Sequence, residues 1–124
     1  MPLIVLNGPV IEAGQSLSSG IDCTAGEIVR LTMPAAWSGA NLSFQISSDG
    51  NGYNDLFRAD GTEIVVPCVA GAAVVLNQPS DMLRAVAFLK IRSGSRQWPV
   101  AQAARREFSV AVYKGGPNYI VESP

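Results

Sequence analysis

The residues best suited to chemistry lie in one stretch, SSDGNGYNDLFRADG, at positions 47–61. Asp49, Asn51, Asp55 and Asp60 offer oxygen atoms at short, uneven spacing with glycines between them, as calcium-binding loops do. An EF-hand loop that began at Asp49 would have a tyrosine at its fifth position and Asp60 in place of the bidentate glutamate. Patterns typical of strands flank the stretch, whereas an EF-hand needs helices. We therefore predict no metal site here.

Turn formation explains the same stretch better. Asn51-Gly52 and Asp60-Gly61 each follow or precede a strand-like run, and both residue types tolerate positive φ. Asn-Gly and Asp-Gly are strong hairpin signals. We interpret the stretch as two linked hairpin turns.

Catalytic chemistry finds little support elsewhere in the chain. There is no histidine, so a serine or cysteine nucleophile would lack its usual base, and Lys90 and Lys114 lie in no recognisable motif. Carboxylates of residues 49–63 could form a glycosidase pair in principle, but acids at hairpin tips are ordinarily solvated. No glycine-rich phosphate loop occurs. The sequence predicts a protein that is not an enzyme and uses no cofactor.

The two cysteines, Cys23 and Cys68, are 45 positions apart and match no zinc-ligand spacing. The favoured interpretation is a pair of small, buried hydrophobic side chains. A disulfide, within one chain or between two, is the alternative.

Hydrophobic residues alternate with polar ones through most of the chain. In residues 41–47, Leu42, Phe44 and Ile46 share one face of an extended segment, and residues 107–113 show the same period of two. Further strand patterns occupy residues 27–33, 62–66 and 89–92. Frequent turn signals separate them. The pattern predicts an all-β fold, an antiparallel β-sandwich or jelly-roll of about eight short strands, with at most short helical turns at 79–84 and 100–106.

Composition limits the kinds of partner. With 124 residues, 48% of them hydrophobic and 15% charged, the chain is long and apolar enough for one folded domain, and so few charges suggest a surface covered by neighbouring subunits. A net charge of −1 without a basic cluster predicts no nucleic-acid binding. No apolar run approaches the roughly 20 residues of a membrane span. The start lacks a positively charged region, so we expect no signal peptide and synthesis in the cytoplasm.

Both ends differ from the middle of the chain. We expect a sandwich domain at residues 14–113, an N-terminal arm at 1–13 and a C-terminal arm at 114–124. Each arm has an apolar run that needs a partner, either this domain's own sheet edge or, as we favour, a neighbouring chain. The candidate assembly residues are Leu3, Ile4, Val5, Tyr119, Ile120 and Val121.

Three aromatic residues offer a different function. Trp37, Tyr53 and Trp98 could stack against sugars, as exposed aromatics of sandwich domains often do. The competing explanation is that each tryptophan packs inside the domain. A carbohydrate-binding module is therefore the alternative prediction.

Several motifs occur in a recognisable order. A Pro-Ala-Ala-Trp at residues 34–37 is followed by LSFQISSDG at 42–50, then by LFRADGTE at 56–63, and finally by KIRSG and PVAQ between 90 and 102. This order resembles that of small structural proteins of tailed phages and prophages, over roughly residues 14–113.

The resemblance implies a virion component and no catalytic residues. It implies a β-sandwich on the head, neck or tail of the particle, most simply a capsid decoration subunit that binds the major capsid protein and further copies of itself. The two cysteines are not part of the shared pattern, and a disulfide between subunits of a released particle is a hypothesis. The expected location is thus the virion.

Overall fold

The computed structural model describes residues 3–75 and 86–113. Within these ranges the chain forms eight β-strands and no helix. The strands are β1 Leu3–Ile11, β2 Ile21–Asp22, β3 Glu27–Thr32, β4 Leu42–Ser47, β5 Asn54–Asp55, β6 Ala73–Val75, β7 Phe88–Ser93 and β8 Arg106–Tyr113.

The strands form two four-stranded sheets. The first sheet has the order β1-β8-β3-β6 and the second β2-β7-β4-β5, with every pair antiparallel. Non-consecutive strands are neighbours in both sheets, so most pairings join distant parts of the chain. The predicted all-β sandwich of about eight strands is confirmed.

The core lies between the two sheets and follows the period-two pattern. Leu42 and Phe44 of β4 face Phe108 and Val110 of β8 within one hydrophobic cluster, and none of the four is more than 1% exposed. Burial of each such side chain stabilises the fold by about 1.5–3 kcal/mol. The polar partners of this alternation lie on the outer faces of the sheets.

The N-terminal stretch is part of the domain. β1 pairs with β8 from Leu3 opposite Tyr113 to Ile11 opposite Arg106, with a register shift between Asn7 and Val10. The partner of Leu3, Ile4 and Val5 is therefore β8 of the same chain. The sequence had favoured a neighbouring chain. The strand begins at residue 3, so residues 3–11 lie inside the sandwich rather than in a separate arm. Tyr119, Ile120 and Val121 lie outside the described residues.

Two local expectations are wrong. Residues 62–66 form no continuous strand: Glu63 and Val66 make only isolated bridges, to Phe57 and Leu42. Residues 100–105 contain no helical turn, because their backbone is held by distant partners instead. The possible helical turn at 79–84 lies outside the described residues.

Gln102 is the buried polar centre that holds the irregular segment before β8. Its side-chain Oε1 accepts hydrogen bonds from the Ser38 amide (3.1 Å) and Arg106 Nε (3.0 Å), and its Nε2 donates to Ser93 Oγ (2.8 Å). Its backbone amide donates to the carbonyl of Gln15. Gln102 therefore connects its own loop and the loops of Gln15 and Ser38 to the ends of β7 and β8.

Replacing Gln102 with alanine is expected to lower the free energy of unfolding by about 2 kcal/mol, because the Ser38 amide and the Ser93 hydroxyl lose their partners in a buried site. Gln97→Ala is the matched control, since Gln97 is exposed, and should change stability by less than about 0.5 kcal/mol. Urea unfolding of the parent and of the two variants measures both changes in stability. Equal midpoints for the two variants would contradict the role of Gln102.

Candidate functional site

Of the three aspartates at residues 47–61, Asp49 and Asp60 accept hydrogen bonds from the backbone of their own turns. Asp49 Oδ1 accepts hydrogen bonds from the amides of Asn51 (2.8 Å) and Gly52 (3.1 Å), and these bonds lower the pKa of Asp49. Asp60 Oδ1 likewise accepts from Thr62 Oγ1 (2.7 Å) and the Thr62 amide (3.0 Å), with a lowered pKa. The oxygens of the two aspartates therefore serve separate turns.

The expected two-residue turn at Asn51-Gly52 is not formed. β4 pairs with β5 across a longer loop, residues 48–53, and the residue with positive φ is Gly50 (84°). The second expected turn does have a positive φ, at Gly61 (90°). Among the described residues, no group of three or more His, Cys, Asp or Glu side chains could hold a metal ion.

Arg92 is unusual among the charged residues of the described chain because it is buried. Its side chain lies on the outer face of β7 but is only 8% exposed. Nη1 pairs with Asp55 Oδ1 (2.8 Å) and Nη2 with Glu63 Oε2 (2.9 Å), while Nε donates to Ser43 Oγ (2.9 Å). Each of the three guanidinium nitrogens thus has a partner, as a buried cation requires.

Arg96 extends this network toward solvent. Its Nε pairs with Asp55 Oδ2 (3.2 Å), and its backbone amide donates to Glu63 Oε2 (3.0 Å). Burial alone would raise the pKa of Asp55, but hydrogen bonds from Arg92 and Gln45, with the nearby positive charge of Arg92, hold that pKa below its usual value. Both carboxylates are therefore engaged in ion pairs that fasten residues 55–63 across the second sheet.

A shallow pocket lies at the other end of the same outer face. It has a volume of about 460 Å³ and lies between the start of β7, the residues around β2 and the loop before β5. Tyr53, Phe88 and Lys90 line it, and Lys90 Nζ lies 4.4 Å from the centroid of the Tyr53 ring. The predicted ligand residue Tyr53 therefore belongs to a real concavity, which the sequence pattern did not indicate.

The two tryptophans have opposite environments. Trp37 is half-buried, donates from Nε1 to the carbonyl of Ala40 (2.8 Å) and packs edge-on against Phe108 with ring centroids 5.5 Å apart. The packing explanation is correct for Trp37. Trp98 is 75% exposed, on a turn just after β7, so packing does not explain it. Tyr53 lies beside Lys90 of β7, whereas Trp98 follows the end of that strand and does not line the pocket that contains Tyr53.

Both cysteines are free thiols in contact with the core. Burial, with a smaller contribution from the Asp22 carboxylate, raises the pKa of Cys23 to about 11. Burial also raises the pKa of Cys68, whose Sγ donates to the carbonyl of Ala40 (3.1 Å). The interpretation as a small buried side chain is correct for Cys23, whereas Cys68 is only partly buried. A disulfide between chains stays a prediction.

The remaining candidate surface is the outer edge of β1. β1 is the terminal strand of the first sheet, and among the described residues nothing pairs with its second edge. Leu3 and Val5 are 45% and 54% exposed, whereas Ile4 and Leu6 turn toward the core. No charged residue occurs between residues 3 and 11. This edge is both apolar and accessible.

No protein-family model, no curated protein and no solved structure matches the chain. Among the described residues, no helix is long and apolar enough to cross a membrane.

Proposed function

We propose that the protein is a non-enzymatic structural component of a phage-type virion, a capsid decoration subunit that binds the major capsid protein and further copies of itself. The observation that carries the proposal is the uncharged outer edge of β1, where Leu3 and Val5 remain exposed. The resemblance of the motif order over residues 14–113 to phage structural proteins supports the same function.

An edge strand of this kind favours pairing with another strand. Soluble proteins usually protect sheet edges with charged side chains or cover them, because the free amide and carbonyl groups can bind a partner's backbone. From residue 3 to residue 7, β1 has no such charge. Strand addition would supply backbone hydrogen bonds, and the Leu3 and Val5 side chains would supply apolar contact.

The distribution of charge agrees with an assembly role. Only 15% of the residues are charged, and one of them, Arg92, forms buried ion pairs with Asp55 and Glu63. Individual contacts of a small subunit are weak, but repeated contacts on a symmetric shell add by avidity. A low surface charge reduces the desolvation cost of each contact.

Charge placed on the β1 edge is expected to prevent assembly without unfolding the domain. In the double variant Leu3→Lys and Val5→Lys, lysine ammonium groups would have to be buried against a partner strand, so co-sedimentation with capsid shells from the same genome should fall at least tenfold. Point substitutions are required because deletion of residues 1–12 would also remove the fully buried Ile11.

Val69→Lys is the matched control, since Val69 is 68% exposed and lies in a turn outside the strands. It should sediment with the shells as the parent does. Equal binding by the β1 variant and the parent would show that β1 is not the contact. A parent chain that neither binds shells nor self-associates in sedimentation velocity would overturn the proposed function itself.

A further inference from the structure

The shallow pocket on the second sheet has the volume of a small-molecule site. Its volume of about 460 Å³ falls within the roughly 300–1,000 Å³ typical of small-molecule sites. It combines two aromatic rings with charged and amide groups, and the side chains that matter are Asp22, Asn51, Tyr53, Phe88 and Lys90.

Both aromatic rings lie against glycines, and the glycine beside Tyr53 is the one that its ring requires. Phe88 points outward from β7 and packs on Gly50, where an added Cβ would lie 3.5 Å from the ring. The hydroxyl of Tyr53 lies directly against Gly20, and a Cβ at that position would overlap it. Close approach to the backbone therefore places the Tyr53 ring at the pocket, and ordinary van der Waals contact places Phe88 beside it.

The polar groups keep capacity for a ligand. Lys90 forms no ion pair within the described part of the chain. Asp22 uses Oδ1 to accept from the Thr24 amide (2.9 Å) and Thr24 Oγ1 (2.6 Å), which leaves Oδ2 without a partner among the described residues. Asn51 adds a side-chain amide at the rim. The pocket thus offers donors and acceptors together beside apolar rings.

We propose that this pocket binds a neutral sugar unit. The C–H face of a pyranose would lie against Phe88 and Tyr53, while its hydroxyls would accept from Lys90 and donate to Asp22. One ammonium and one carboxylate cancel, which favours an uncharged polyol. A nucleotide would need more than the single cation that lines the pocket, and a lipid chain would need an enclosed apolar channel.

The site goes beyond the proposed assembly function and is independent of it. It lies on the outer face of the second sheet, whereas β1 is the edge of the first. Sugar binding at this position would add recognition of a polysaccharide surface to a subunit that is held by its other sheet. Loss of either activity should leave the other unchanged.

Titration of the ¹⁵N-labelled full chain with glucose, galactose, N-acetylglucosamine and glucuronate tests the proposal by NMR. At least one neutral sugar should produce saturable shifts in the backbone amides of residues 20–22, 50–53 and 88–90. No shift with any of the four sugars, or shifts confined to other residues, overturns the proposal. Saturable binding of glucuronate alone overturns the assignment to neutral sugars.

Variants separate the pocket from the exposed tryptophan. Lys90→Met and Asn51→Ala should each weaken the binding of the responding sugar at least fivefold. Arg105→Met is the control for loss of a positive charge, since Arg105 does not line the pocket, and should bind as the parent does. If Trp98→Ala abolishes binding while Lys90→Met does not, the sugar binds at Trp98 and the proposed site is wrong.

Discussion

Replacing Arg92 with methionine is expected to lower the free energy of unfolding by about 3 kcal/mol. Methionine keeps much of the side-chain volume, so the main loss is the cation that pairs with Asp55 and Glu63. Removing one partner of a buried ion pair leaves uncompensated charge and costs about 3–5 kcal/mol. The lower end applies because Asp55 and Glu63 retain 24% and 14% side-chain exposure.

The same variant should also change the dependence of stability on pH. In the parent the pKa of Asp55 is lowered in the folded state, so its contribution is complete above the unfolded value of about 3.9 and is lost as pH falls through the folded value. Without Arg92 the pKa of Asp55 rises, and less stability is lost on acidification. The difference between parent and variant should therefore stay constant from pH 7 down to about 4 and shrink as the pH falls further, through the lowered pKa of Asp55 in the parent.

Arg105→Met is the control for both measurements. Its ion pairs with Glu12 and Glu107 are long, at 3.9 Å and 3.8 Å, and its side chain is 58% exposed. Such surface pairs contribute about 0–1 kcal/mol. Denaturant titrations at several pH values measure the three proteins. If Arg92→Met and Arg105→Met lose similar stability at pH 7, the buried network does not hold residues 55–63 in place.

Gly94→Ala is expected to destabilise the domain by at least about 3 kcal/mol. Gly94 directly follows β7 and has a φ of 91°, and a Cβ there would overlap the carbonyl oxygen of Trp98 and lie 2.9 Å from the Val100 amide nitrogen. Both neighbours are backbone atoms, so neither can rotate away as a side chain would. The turn that presents Trp98 would have to open.

Gly61→Ala isolates the conformational part of this cost. Gly61 has nearly the same φ, 90°, but no atom lies within 4 Å of an added Cβ. It should lose only the roughly 1–2 kcal/mol of a left-handed backbone. Thermal unfolding of both variants gives the difference. A loss at Gly94 no larger than at Gly61 would show that the turn accommodates a side chain.

The sandwich could be predicted from the sequence because its core strands are long enough to show a period. Leu42 and Phe44 alternate with serine and glutamine in β4, and Phe108, Val110 and Val112 alternate in β8. Strands β2, β5 and β6 have only two or three residues, too few for a period of two to be visible. Their existence depends on neighbours in the sheet.

The candidate sites were harder to predict because they depend on contacts between distant residues. The alternation in β7 predicts outward positions for Lys90 and Arg92 alike, yet only Arg92 is covered, by residues 55–63. No local signal distinguishes them. Likewise, the pocket depends on contacts between residues distant in sequence, such as the close approach of Tyr53 to Gly20. The apolar run at residues 3–6 predicted a segment that pairs with a partner, but not that this partner would be β8 of the same chain.

The interruption of β1 at Gly8 and Pro9 limits how long a contact on this edge can be. The ladder is in regular register from Leu3 to Asn7, it shifts before Val10, and Pro9 has no amide hydrogen to donate. A docked strand can therefore follow the edge for about five residues, or about 17 Å. A strand contact of that length would bind a single subunit only weakly and would not extend into a continuous intermolecular sheet. Under the proposed assembly function, occupancy of a shell should therefore rise steeply with the number of neighbouring positions that are already filled.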